Sequence, residues 1–291
     1  GNIMTEEYKS LILKYLTGQL SQQTGNNIPT FSEINSKTNN LYTFCSENFS
    51  TYFTIVDVIQ STVSSNFVVW GNDWDDTTLK TNSKIIILDE NFNIVQKIEE
   101  YSSGVQFGEF IDLQVDSSGE FYLLEKFNNS YRFVMLNNIL AKLSDETGYH
   151  VDIRKSYEIP STYQNNEFRD ITKSLNNSYY CFTGVGIPNT KVVALELRVN
   201  VGSENEWNFY TSETVDFILS SKGTAFWDSQ SNINIKLGAS VGDMSGTNYY
   251  EFYNYNDALS FNVFDTTIHG DVLDFALLSS DLGYISVKDS F

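Results

Sequence analysis

The sequence predicts an all-β protein assembled by repetition, and three observations lead there. Of the 291 residues 15% are aromatic, with 21 Phe and 18 Tyr against 3 Pro, a balance that favours strands and a packed interior over disorder. The stretch FIDLQVDSSGEFY (110–122) reads as strand, turn, strand, and it returns as IVDVIQSTVSSNF (55–67), FRDITKSLNNSYY (168–180), TVDFILSSKGTAF (214–226) and VLDFALLSSDLGY (272–284). The aspartates Asp57, Asp112, Asp170, Asp216 and Asp274 are spaced by 55, 58, 46 and 58 residues, room for four short antiparallel strands each time. Each is followed by an apolar residue and, ten positions on, by an aromatic: Phe67, Tyr122, Tyr180, Phe226 and Tyr284. Five repeated four-stranded meanders predict a five-bladed β-propeller, in which every sheet buries both faces against its neighbours. Two packed sandwiches would also give many short strands, but would not return one Asp five times.

The elements follow in order. TEEYKSLILKYLTGQL (5–20) is a short N-terminal α-helix: Thr5 can cap it, Glu6 and Glu7 suit its positive end, Tyr8, Leu11, Ile12 and Tyr15 form a stripe, and Gly18 ends it. Residues 1–50 are read as this helix plus a lead-in segment, and 51–291 as the propeller. In the first repeat NFVVWG, SKIIILD and NIVQKIEEY supply strands. In the second, strands are expected near 110–116, 120–127, 130–136 and 149–158. In the third they are SYYCFTG, KVVALELRVN and EWNFYT. After Asp274 only 17 residues remain, enough for two strands, so the segment between Leu20 and Ser50 is the candidate to complete the fifth blade unless the chain is part of a longer one.

Charge and motifs exclude several classes. A formal charge of −19 without a basic cluster disfavours nucleic acid and anionic membrane surfaces. No apolar run reaches the length of a membrane span, and no basic-then-apolar leader opens the chain. Cys45 and Cys181 fit no zinc pattern and read as reduced thiols, with one disulfide left open. His150 and His269 lack metal-ligand spacing, and no GxSxG, no phosphate-cradling glycine loop and no sialidase Asp-box occurs. No cofactor is expected, apart from a candidate bound cation.

Two sets of residues stand out. The five repeated aspartates read as structural, accepting backbone hydrogen bonds at the start of each inner strand, because catalysis needs two carboxylates in different environments rather than five alike. The local outlier is WGNDWDDTT (70–78), read as a loop between the second and third strands of the first blade. Trp70, Asn72, Asp73, Trp74, Asp75 and Asp76 there are the candidate ligand-binding residues: an indole face suits sugar C–H groups, and carboxylates accept hydroxyl hydrogen bonds or hold a cation. The competing reading puts Trp70 at the end of a core strand and Trp74 over an apolar gap.

The segments YLTGQLSQQTGNNIPTFSEI (15–34), RFVMLNNILAK (132–142) and LRVNVGSENEWNFYTS (197–212) resemble virion proteins of phages that infect low-GC Gram-positive bacteria: tail, baseplate or receptor-binding components, some with a five-bladed propeller platform. The resemblance transfers no functional residue. It implies a structural or adhesive protein, made in the bacterial cytoplasm and extracellular in the virion, forming a homo-oligomer, with other virion proteins as partners and host cell-wall glycan as candidate ligand. Two alternatives stand beside it: a bacterial cell-surface binding module, and a propeller glycosidase with Asp57 or Asp112 as base and Glu109 or Glu125 as acid. No hydrolytic activity is expected.

Overall fold

A computed structural model describes residues 43–44, 53–60, 66–141, 148–214, 217–242, 248–255, 259–263, 270–277 and 283–289. The predicted N-terminal helix, most of the lead-in segment, Cys45, Asp216 and His269 lie outside the described residues. The chain divides into two compact units, Gly1–Ile159 and Pro160–Phe291.

The first unit contains two meanders of four consecutive antiparallel strands. One is β1 (Phe53–Gln60), β2 (Phe67–Asp75), β3 (Lys80–Leu88) and β4 (Ile94–Ile98). The other is β5 (Glu109–Val115), β6 (Phe121–Phe127), β7 (Ser130–Leu136) and β8 (Ile153–Glu158). The apolar runs FVVW and IIIL are continuous because the first sheet buries both faces. Val68, Trp70, Ile85 and Ile87 pack with Leu123, Val134 and Leu136 of the second sheet, while Phe67, Val69, Ile86 and Leu88 pack on the opposite side with Phe53 and Val58. The outermost strands β4 and β8 are mostly exposed.

The second unit repeats the plan. β9 (Asn166–Lys173), β10 (Tyr179–Gly186), β11 (Lys191–Arg198) and β12 (Glu206–Thr211) form one meander. β13 (Phe217–Trp227), β14 (Ile233–Gly242), β15 (Asn248–Tyr255) and β16 (Leu259–Val263) form another, and β17 (Gly270–Leu277) pairs with β18 (Gly283–Asp289). Cys181, Val185, Val192 and Ala194 meet Ile218, Ile235, Leu237 and Val241 in a shared core. The all-β expectation holds among the described residues: beside four sheets of four successive strands and one pair, helix is confined to residues 43–44 and one 3-10 turn, Ser161–Tyr163.

A bulge marks the first hairpin of every sheet. Registers slip between Ile55 and Asp57, Phe110 and Asp112, Phe168 and Asp170, Ile218 and Ser220, and Val272 and Asp274. Four of the five repeated aspartates therefore stand directly after the bulge. In the fourth sheet Ser220 holds that place, and Phe226 lies on the first strand instead of the second. The reason is a longer hairpin: Ser220 faces Ser240, whereas Asp112 faces Leu124. Gly184 opposite the third bulge is required, since a Cβ there would sit 1.9 Å from the Glu167 carbonyl oxygen.

A second repeat, not read from the sequence, shapes the hairpin turns. Asp89, Asp116 and Asp228 each accept hydrogen bonds from the backbone N–H two and four residues on, and each exchanges a backbone pair across the turn. The fourth turn residue, Phe92, Gly119 or Ser231, has positive φ near 62, 84 or 66°. These bonds hold all three carboxyls below the ordinary range. For Asp89 the Asn93 side chain is the main cause and for Asp228 the Asn232 N–H. For Asp116, burial pushes upward but is outweighed by the Ser118 hydroxyl, the Glu120 N–H and the Tyr122 hydroxyl.

Candidate functional site

The repeated aspartates are built into the sheets. Asp57, Asp112 and Asp170 are buried at 8%, 4% and 5% exposure, so none presents a carboxylate to solvent. Asp57 accepts the Val58 N–H at 2.8 Å. Asp170 accepts the Gly223 N–H of β13 at 3.0 Å and the Thr183 hydroxyl, and pairs with Lys222 at 3.5 Å. At Asp170 a side chain on the first strand of one sheet thus satisfies the backbone of the first strand of the next.

The segment WGNDWDDTT is strand through Asp75 and turn only from Asp76 onward. β2 runs through Asp75, and Asp73, Trp74 and Asp75 pair with Asn82, Thr81 and Lys80 of β3, so the polar residues extend a hairpin past the core. The pleat puts Trp70, Asn72 and Trp74 on one face. Trp70 is fully buried, with Phe110 and Phe121 at 5.4 and 5.3 Å between ring centroids, which makes it a core residue and removes it from the ligand-binding set. Asn72 clamps the neighbouring sheet: its Nδ2 donates to the Phe110 carbonyl at 2.8 Å and its Oδ1 accepts the Phe110 N–H at 3.0 Å and the Ser83 hydroxyl. It too is committed to structure.

Beyond that clamp the hairpin is solvated. Asp73 pairs with Lys84 at 3.2 Å. Asp75 accepts the Thr77 and Thr78 N–H groups of the turn, and the Thr77 bond above all lowers its pKa. Trp74 is 41% exposed, and its Nε1 donates to Asp76 Oδ1 at 2.8 Å, which pins the indole edge. The three aspartates point to three different partners, and among the described residues no group of three or more His, Cys, Asp or Glu side chains is placed to hold a metal ion. What the hairpin offers a ligand is one oriented indole.

Two buried glutamates were not singled out as a pair by the sequence. In the first unit Glu125, at 0% exposure, accepts the Tyr101 hydroxyl at 2.7 Å, the Gly108 N–H at 3.0 Å and Arg132 Nε. Phe127 covers the guanidinium at 3.8 Å. Burial, with the Glu125 charge next, pushes the Tyr101 hydroxyl far above its ordinary range. In the second unit Glu196, also at 0%, accepts Arg198 Nε and Asn208 Nδ2 at 3.0 Å, Trp227 Nε1, and more loosely the Tyr210 hydroxyl. Cys181 beside it is a buried free thiol, pushed up by burial and then by Glu196. The signal in the sequence was a lone Glu inside each apolar run, FYLLEKF and KVVALELR, with Arg close behind.

The chain matches no protein-family model and no curated protein sequence. Among solved structures it is similar to the β-propeller domain of the Trilobed protease from Pyrococcus furiosus, at 8% identity and a TM-score of 0.40, covering 77% of this chain and 61% of that one. It is similar to the catalytic domain of an α-L-arabinofuranosidase from Coprinopsis cinerea, at 11% identity and 0.41, covering 73% and 66%. A fucose lectin from Kordia zhangzhouensis matches at 12% and 0.29, over 52% of this chain and 95% of the lectin. The chain spans 61% of the length of the protease propeller domain.

Proposed function

We propose that the chain is a non-hydrolytic saccharide-binding module, a five-bladed β-propeller whose hairpin ends offer aromatic side chains to a glycan. The observation that carries this is Trp74: an indole 41% exposed beyond the last core contact of its hairpin, with its ring nitrogen already bonded to Asp76. Leaving so large an apolar face in water is unfavourable unless something covers it, and an oriented ring loses little freedom on binding. Sugar C–H groups suit that face. The propeller reading is supported by the shared bulge in all five described first hairpins.

The glycosidase reading needs two carboxyls facing one sugar, roughly 5–9.5 Å apart. Of the candidates, Asp57, Asp112 and Glu125 are buried, and Glu125 spends its oxygens on Tyr101, Gly108 and Arg132. Glu109 is exposed, without a second exposed candidate. The setting we assign is a cell or virion surface presenting the module to wall glycan; the virion tail, with other virion proteins as partners, rests on the resemblance of 15–34, 132–142 and 197–212. Calorimetric titration with glucose, galactose and N-acetylglucosamine trisaccharides tests the reading. Trp74→Ala should remove a class of sites without changing Tm, whereas an isotherm identical to wild type would overturn it.

A further inference from the structure

Along β11, Val192, Ala194, Glu196 and Arg198 share one face, the one turned toward β13–β15. The first two join the apolar core with Ile218 and Val241. The next two turn the interface charged, although continued apolar residues would bury more surface and a buried ion pair adds little stability. What the charged end does achieve is to fix its neighbours. Glu196 pins Trp227 through Nε1 and Arg198 through Nε, Arg198 Nη2 donates to the Ser231 carbonyl at 2.7 Å, and the guanidinium lies 4.8 Å from the Tyr179 ring centre. Tyr179 and Trp227 stand 6.0 Å apart at 39°. Yet none of these is sealed: Tyr179 and Trp227 are half-buried, and the Arg198 side chain is 22% exposed.

We infer that this end of the interface between β9–β12 and β13–β16 is a second saccharide site, with Trp227 and Tyr179 as its aromatic walls and Arg198 as hydroxyl donor. The inference rests on the saccharide-binding reading but uses none of the hairpin residues. Rings and a guanidinium held in place before binding lose little side-chain freedom when a ligand arrives. The ring faces take C–H groups and the guanidinium edge takes hydroxyl oxygens. A neutral sugar is the class selected, because Glu196 already balances Arg198 and the chain carries −19 overall, leaving no excess positive charge for an anionic one.

The protein has four Trp, so 5-fluorotryptophan labelling gives four fluorine signals, assigned by single Trp→Phe variants. Titration with the same three trisaccharides should shift the Trp227 signal saturably, and Arg198→Lys or Tyr179→Ala should abolish that shift while the Trp74 shift persists. Two substitutions are named so that one folded variant suffices, checked by its remaining fluorine signals. Movement of Trp74 with Trp227 still throughout overturns this site and leaves the hairpin reading standing. No movement of either overturns both. A Trp227 shift that survives both substitutions also overturns the assignment.

Discussion

In the first unit Glu125 is enclosed by Tyr101, Gly108 and Arg132, with Phe127 lying over the guanidinium and the Arg132 side chain only 11% exposed. In the second, Glu196 is equally buried, but the side chains it holds, Arg198 and Trp227, reach the surface. The same pairing of carboxylate and guanidinium thus closes one sheet interface and orders the rim of another. The difference lies in register. Glu125 faces Arg132 directly across β6 and β7, so the pair occupies one level of the sheet. Glu196 and Arg198 follow each other on β11, which carries the arginine outward to the end of its strand.

The largest expected effect separates the two centres. Arg132→Leu should destabilise the first unit by about 3–5 kcal/mol, because Glu125 would be left as a buried charge. Arg198→Leu should cost less, about 1–3 kcal/mol, since Glu196 keeps Asn208 and Trp227. Denaturant unfolding of both variants measures this, and equal losses would break the comparison. Next, Asp170→Ala should cost about 1–3 kcal/mol by leaving the Gly223 N–H without its acceptor.

A pH series sharpens the role of the turns, which both units use. Asp89, Asp116 and Asp228 are held below the ordinary carboxyl range, so folding favours their ionised form. Their contribution is therefore complete above the unfolded value of about 4 and is lost as pH falls through the lower folded values. Thermal unfolding from pH 7 to pH 2 should show a decline beginning near pH 4, and Asp116→Ala should flatten it. The smallest stability effect belongs to Trp74→Ala, within about 0.5 kcal/mol, because the side chain extends past the core.

The meander β5–β8 was legible almost strand by strand, since SSG and NNS interrupt alternating apolar runs where β5–β6 and β6–β7 turn. Asp57, Asp112, Asp170 and Asp274 follow the register shift of their sheets, while in the fourth sheet the shift falls between Ile218 and Ser220 and Asp216 lies outside the described residues. WGNDWDDTT looked like a loop because Asn and Asp are poor strand formers, yet pairing with β3 continues through Asp75. Of the candidate ligand residues, only the exposed Trp74 and its neighbouring acids remain outward. Glu196 escaped notice because a charge within an apolar run reads as a solvent-facing position until the facing sheet is known.

The central claim is that this chain binds saccharide through ordered aromatic side chains while its buried carboxylates hold structure. Native mass spectrometry of the protein incubated with glucose, galactose and N-acetylglucosamine oligosaccharides addresses both halves at once. The account predicts complexes whose mass equals protein plus intact oligosaccharide, with no shorter sugars accumulating over time. Shorter products released by the wild-type chain, and lost in a folded Glu125→Gln or Asp112→Asn variant, would contradict it.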